Sequence, residues 1–285
     1  MNQPNPQHLI AGITQIASLP EIYMKIELAM NNPKSSSKYF SDILSEDIAL
    51  AAKILRLANS SFFSFPGKIS TVTQAITLIG TRQLRDIILA SSIVGAFKDI
   101  PAELIDMKSF WRHNIACGVT CRIIAMLRRE TNVEAAFVSG LLHDIGRLVL
   151  YKEKPDAMGE LIEKCSKTEE LLYRSERNHF GFDHALLGSL LLKEWKLPTR
   201  LIKTTACHHT PERAKEYIIE TATVHVSDII SNALTSGSSG EKMIPPMSEK
   251  AWKILGLEDG NLSLIADELD KQYSVAVDFV LSESP

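Results

Sequence analysis

Apolar residues recur at every third or fourth position along almost the whole chain. Leu9, Ile10, Ile13 and Ile16 form one stripe, Ile22, Ile26 and Met30 a second, and Leu50, Ile54, Leu57 and Ala58 a third. That spacing marks the one-sided face of an amphipathic helix. Strict alternation over strand-length segments is nearly absent. The β-branched stretch Ile69 to Val72 is the best strand candidate, and it reads as a loop entering a helix at Thr71 or Thr73. Pro20, Pro33, Pro66-Gly67, Pro101, Pro155, Pro198 and Pro211 fall near expected helix starts or in connections. The pattern predicts an all-α fold of about fourteen helices.

The distribution of histidine divides this helical chain. After His8, no histidine occurs up to about Asp99, and the other seven all lie between His113 and His225. The expected organisation is an N-terminal helical subdomain over 1–100 and a histidine-bearing helical domain over 101–235. The segment Thr235 to Met247 (TSGSSGEKMIPPM) is rich in Ser, Gly and Pro, so 236–247 reads as a flexible loop. Helical periodicity resumes over 248–285 through Trp252, Leu255, Leu262, Ile265, Leu269, Val277 and Val280, which predicts C-terminal helices packed back on the domain.

Composition narrows the function classes. With 45% hydrophobic and 23% charged residues, the chain is neither disordered nor fibrous. Its 31 basic and 34 acidic residues leave a net charge of −3, so no general nucleic-acid binding is expected. No apolar run has membrane-spanning length, and Met1 to Gln7 lacks the pattern of a secretory signal. The four cysteines form no CxxC pair and fit reduced thiols, which points to the cytoplasm. Cys117 and Cys121 share a helix face and read as core residues. Lys and Arg at 82, 85, 122, 128 and 129 read as solvated faces. Asn59 is expected to hydrogen-bond the turn that ends its helix. Phe62, Phe63 and Phe65 cannot all share one helix face, so they are a candidate partner surface.

The chemistry concentrates at Leu141-Leu142-His143-Asp144-Ile145-Gly146-Arg147. Neighbouring helical residues are about 100° apart, so His143 and Asp144 can reach one metal, or the carboxylate can bridge two. His113, His184, the pair His208-His209 and Asp228 stand on other predicted helices. This mix of nitrogen and oxygen donors suits Fe, Mn, Ni, Zn or Co without choosing among them. His8, His179 and His225 read first as ordinary surface or core histidines. His179 could stand behind the ligands, and His225, three residues before Asp228, could orient one.

The order H…HD…H…HH…D resembles the HD superfamily of metal-dependent phosphohydrolases, and most closely its HDOD branch of bacterial signalling output domains. Asp47 to Ser60 resembles the HDOD segment ending in LxxAN(S/T), and Ile69 to Leu84 its I-x-x-A-I-x-x-L-G-x-x-x-L stretch. Gly181 to Leu201 resembles the DH-xx-x-G-xx-L-xx-W-x-LP pattern. The resemblance implies an N-terminal helical subdomain followed by an HD-type helical bundle with a metal site between its helices. It also implies that His113, His143, Asp144, His208, His209 and Asp228 bind metal, with His184 completing a second ion. Arg147 stands where HD-GYP relatives carry a phosphate-handling lysine. Thr210-Pro211-Glu212-Arg213 follows the HH pair where those relatives have a Gly-Tyr-Pro element, which argues against cleavage of cyclic di-GMP. Two functions stay open. One is a regulatory module with a protein partner in a signalling pathway. The other is a metal-dependent phosphohydrolase acting on a nucleotide or cyclic dinucleotide, with Asp144 and Arg147 as its catalytic pair.

Overall fold

In the computed structural model, residues 4–14, 19–32, 35–97, 100–234 and 237–282 are described. The expectations at Met1, Ile16, Pro33, Asp99 and Thr235 fall outside them. The described residues are helical throughout, with no strand. The N-terminal part holds α1 (Pro6–Thr14), α2 (Glu21–Met30), α3 (Ser37–Ser45), α4 (Ile48–Ala58), α5 (Val72–Ile79) and α6 (Thr81–Ile93). The histidine-bearing part holds α7 (Met107–Leu127), α8 (Val133–Leu142), α9 (Ile145–Glu153), α10 (Pro155–Thr168), α11 (Leu172–Phe180), α12 (His184–Glu194), α13 (Thr199–Cys207) and α14 (Ile218–Ala233). Two C-terminal helices follow, α15 (Glu249–Leu255) and α16 (Asp259–Leu281).

Local chemistry accounts for many of the boundaries. Side chains of Ser36, Asp47, Thr71, Asn132, Asp183 and Ser248 each accept a backbone N–H three residues on, filling donors that a helix start leaves unpaired. Thr71 therefore starts α5, and Ile69 lies in the loop before it. Asn59 ends α4: its amide accepts from Ile69 N–H and donates to the Ile69 carbonyl, both at 2.8 Å.

The long helix α7 is buried on all sides from His113 to Ala125 and forms the axis of the bundle. α8, α14 and α16 pack directly on it. One hydrophobic core runs from Leu9 to Val280, so the N-terminal helices share it with the histidine-bearing part. α6 lies on α8, and α1 lies on α9 and α12.

Two glycine contacts bring the site helices together. A Cβ on Gly140 would fall 2.7 Å from both the Cys117 carbonyl and Gly118 Cα, so α7 and α8 meet backbone to backbone. A Cβ on Gly146 would fall 2.0 Å from the His184 carbonyl, so the start of α9 abuts the start of α12.

Two surface expectations change here. Arg122 is 4% exposed and does not lie on a solvated face. Its guanidinium carbon stands 4.0 Å above the Phe62 ring, Nη1 donates to Gln272 at 2.9 Å, and Nη2 lies 3.6 Å from Glu134. Phe62 is buried beneath that cation, which withdraws it from any partner surface. Phe63 and Phe65 are half-buried and stacked at 5.4 Å. The helix pattern could not show this, because the apolar stem of Arg122 lies in the core while its head is met by a ring and a carboxylate.

Candidate metal centre

The seven candidate ligands converge from five places in the bundle. His113 lies in α7 and Asp228 in α14, both mid-helix. The others stand at helix ends. His143 closes α8 and Asp144 opens α9, so the pair occupies the break between two helices and not one continuous helix. His184 is the first residue of α12, and His208 and His209 follow α13. Helix ends project side chains across the bundle axis, which lets sequence-distant imidazoles meet.

The donors fall into two sets: His113, His143 and Asp228, and Asp144, His184, His208 and His209. Within each set the donor atoms lie within 4.8 Å of one another. Asp144 also faces the first set. Its Oδ2 lies 3.5 Å from His143 Nε2 and 3.9 Å from His113 Nε2. Its Oδ1 lies 2.9 Å from His184 Nε2 and 3.8 Å from His208 Nε2. Asp228 Oδ1 is 3.2 Å from His113 Nε2 and 3.5 Å from His143 Nε2. His184 Nε2 is 2.9 Å from His209 Nε2.

These spacings fit divalent ions. Donors bound at about 2.1 Å around one ion sit roughly 3.0–3.4 Å apart. Buried His113 Nε2 and His143 Nε2 have no hydrogen-bond partner, although buried polar atoms are normally paired. The other ring nitrogens explain the tautomers. His143 Nδ1 donates to the Gly140 carbonyl at 2.7 Å and His208 Nδ1 to the Thr205 carbonyl at 2.8 Å. Both Nε2 atoms are thereby turned into the cluster. His184 Nδ1 donates to Glu176 at 2.6 Å, the carboxylate–histidine arrangement that orients metal ligands.

The electrostatics divide the imidazoles. Burial disfavours a charged His143, but Asp144 and Asp228 outweigh it and push its pKa up to about 9. Burial likewise opposes a charged His184, and Glu176 and Asp144 push it up to about 9. Burial, with His143 and His184 alongside, holds His208 down to about 3. His209 is also held well down by burial and by His208 and His184. Burial works against ionised Asp144 and Asp228, yet Arg147, His143 and His184 hold Asp144 far below the usual carboxylate range, and His113 and His143 do so for Asp228.

The remaining candidates are placed as follows. Arg147 is 1% exposed; its guanidinium faces Ser239, Asp144, Glu176 and Glu241 and not solvent. His225 does not face the donors. Its Nδ1 donates to the His208 carbonyl at 2.8 Å and its Nε2 accepts from Ser248 N–H at 3.0 Å, which steadies the HH segment. His179 is exposed, with its ring against Phe180. His8 is exposed on α1.

Sequence reasoning missed several supporting residues. Glu176 is one acid in a polar helix and carries no local signal. Tyr173 stacks on His209 at 4.0 Å between ring centroids. Asn232 donates to Asp228 Oδ1 at 2.7 Å, and its position one turn after Asp228 was the available clue.

Comparison with known proteins follows this geometry. Residues 16–211 match the HDOD domain family. A solved HDOD domain protein from Geobacter sulfurreducens superposes with a TM-score of 0.76 at 24% identity, covering 97% of each chain. A protein from Shewanella amazonensis, named as a candidate phosphohydrolase, superposes at 0.70 with 25% identity, covering 95% of this chain and 96% of that one. An uncharacterised protein of Treponema pallidum is 25% identical over 207 residues, which are 72% of this chain and 40% of that protein's length. Among the described residues, no helix is long and apolar enough to cross a membrane.

Proposed function

The chain belongs to the HDOD domain family, and we propose that it is a bacterial signalling protein that keeps a two-ion metal centre as its regulatory core. The observation that carries this reading is the carboxylate of Asp144, whose two oxygens face different donor sets. His113, His143 and Asp228, with Asp144 Oδ2, would hold one ion. His184, His208 and His209, with Asp144 Oδ1, would hold the other. Glu176, Asn232, Gly140 and Thr205 orient these ligands from behind.

The same observation favours a second reading, a phosphohydrolase. When bound, two divalent ions supply Lewis-acid activation of a phosphoester and of the attacking water. The protein's own part is to fix the donors, to exclude bulk water by burial, and to keep His208 and His209 neutral so that their lone pairs stay free. The name of the Shewanella neighbour fits this reading. The absence of a Gly-Tyr-Pro element after His209 directs it to phosphoesters other than cyclic di-GMP.

The test is elemental analysis of purified protein together with a hydrolysis screen on phosphomonoesters, nucleotides and cyclic dinucleotides after loading with Mn or Fe. Two ions with no turnover supports the regulatory reading. Two ions with turnover supports the hydrolase. Protein that takes up no metal overturns both.

A further inference from the structure

In the Ser/Gly-rich segment after α14, Ser239 is 1% exposed and Glu241 is buried. Residues 237–242 run as a strap from Ser109 on α7, past Arg147 and Tyr151 on α9, to Leu172 on α11. At one end, Ser238 N–H donates to the Ser109 carbonyl at 3.2 Å and to its hydroxyl at 3.0 Å. Gly237 there has φ +144°, and a Cβ on it would fall 2.7 Å from the backbone nitrogen of His113. At the other end, Tyr151 donates to the Ser239 carbonyl at 2.6 Å, and Glu241 accepts from Leu172 N–H at 2.9 Å. Gly240 has φ +105°, and a Cβ on it would fall 2.1 Å from the Tyr151 hydroxyl. Both glycines occupy conformations that other residues rarely adopt, in places with no room for a side chain.

One side chain joins this strap to the donors. Arg147 Nη1 donates to Ser239 Oγ at 2.7 Å and to its carbonyl at 3.2 Å, and lies 3.7 Å from Asp144 Oδ2. Nη2 lies 3.8 Å from Glu241, and Nε stands 3.2 Å from His184 Nδ1 and 3.8 Å from Glu176, which orients His184. Arg147 thus reaches the shared carboxylate, the carboxylate behind His184, and the strap. Only a planar fork with several fixed N–H groups can do so; a lysine ammonium is a point charge. With these partners around a buried guanidinium, little is left for a substrate phosphate.

We propose that Arg147 is a positioning residue that locks the 237–242 strap to the bridging carboxylate Asp144, so that strap and metal centre are ordered as one unit. The half of this inference that concerns metal rests on the reading of the cluster given above; the half that concerns the strap does not. By linkage, loosening the strap weakens metal binding, and metal binding protects the strap. Glu241, 3.8 Å from Arg147 Nη2 and bonded to Leu172 N–H, ties the far end of the strap to the guanidinium.

The experiment uses the full chain as wild type, Arg147→Lys and Gly240→Ala. Lysine keeps the positive charge and loses the fork. Gly240→Ala disturbs the strap without altering any metal donor. Backbone amide exchange at Ser238 and Gly240 is measured in metal-free protein, and Mn(II) affinity by titration with electron paramagnetic resonance. We expect strap exchange to rise at least about tenfold in both variants and Mn(II) affinity to fall about 10- to 100-fold, the usual cost of losing a group that supports metal ligands. The spin-coupled signal of a bridged Mn pair should give way to isolated-ion signals, which a merely structural loosening elsewhere would not cause. Unchanged strap exchange in Arg147→Lys overturns the proposed lock. Accelerated exchange with unchanged affinity and coupling overturns its link to the metal centre. If wild type takes up no Mn(II), the metal reading fails by itself, and amide exchange still decides whether Arg147 holds the strap.

Discussion

Glu176 Oε2 accepts two hydrogen bonds from a single residue, the Nδ1–H of His184 at 2.6 Å and its backbone N–H at 2.9 Å. Ring tautomer and helix start are fixed by one oxygen. Glu176→Gln keeps the shape but removes the charge that strengthens both bonds. It should weaken metal binding by about 10- to 100-fold at the His184, His208 and His209 set, and much less at the His113 and His143 set. Titration with Mn(II) checks this: one weakened site beside one near-normal site is expected, and two equal wild-type sites would refute it.

The Gly146 contact sets the distance between Asp144 and His184. Gly146→Ala places a methyl group on the His184 carbonyl, a backbone atom that cannot swing away. Overpacking of this kind costs about 1–3 kcal/mol, occasionally more. The variant should unfold at lower urea and carry less metal. Stability and metal content equal to wild type would show that α9 and α12 can part freely.

Arg122 and Glu134 form a buried pair tying α7 to α8. Removing one partner of such a pair costs about 3–5 kcal/mol, because the other charge is stranded. Arg122→Met should be strongly destabilising in urea unfolding. Adding Glu134→Gln should recover much of the loss. A double variant no better than the single one would mean that Arg122 acts through Phe62 and Gln272 alone.

Glu241 gives a pH dependence. Burial raises its carboxyl pKa, and Arg147 only partly opposes this. Unfolded, it titrates near about 4.3. Its protonated form therefore contributes stability that is present below that value and is lost as pH rises through the folded one. Glu241→Gln has no such loss. The melting temperature of the variant relative to wild type should rise as pH increases above about 4.3, and a relative value that falls would reverse the sign.

The all-α fold was legible because amphipathic periodicity is a local signal, as is the helix entry at Thr71. The residues that cluster were legible because histidine is chemically distinctive and their order resembles a known family. Their division into two sets was not, since it depends on which way the oxygens of Asp144 turn. Glu176, Arg122 and the strap were hidden for a common reason: each acts through long-range contacts, and its local sequence looks like ordinary surface. At 237–242, Gly237 and Gly240 serve close packing and positive φ, which composition does not reveal.

The proposed two-ion centre turns on Asp144, whose two oxygens face different donor sets. Metal content and Mn(II) resonance of wild type and Asp144→Ala test it most directly, since a shared carboxylate holds ions about 3.5–4 Å apart and couples their spins. Two coupled ions per chain are expected in wild type, with loss of both the coupling and at least one ion in Asp144→Ala. Two coupled ions in the variant, or a single uncoupled ion in fully loaded wild type, would contradict it.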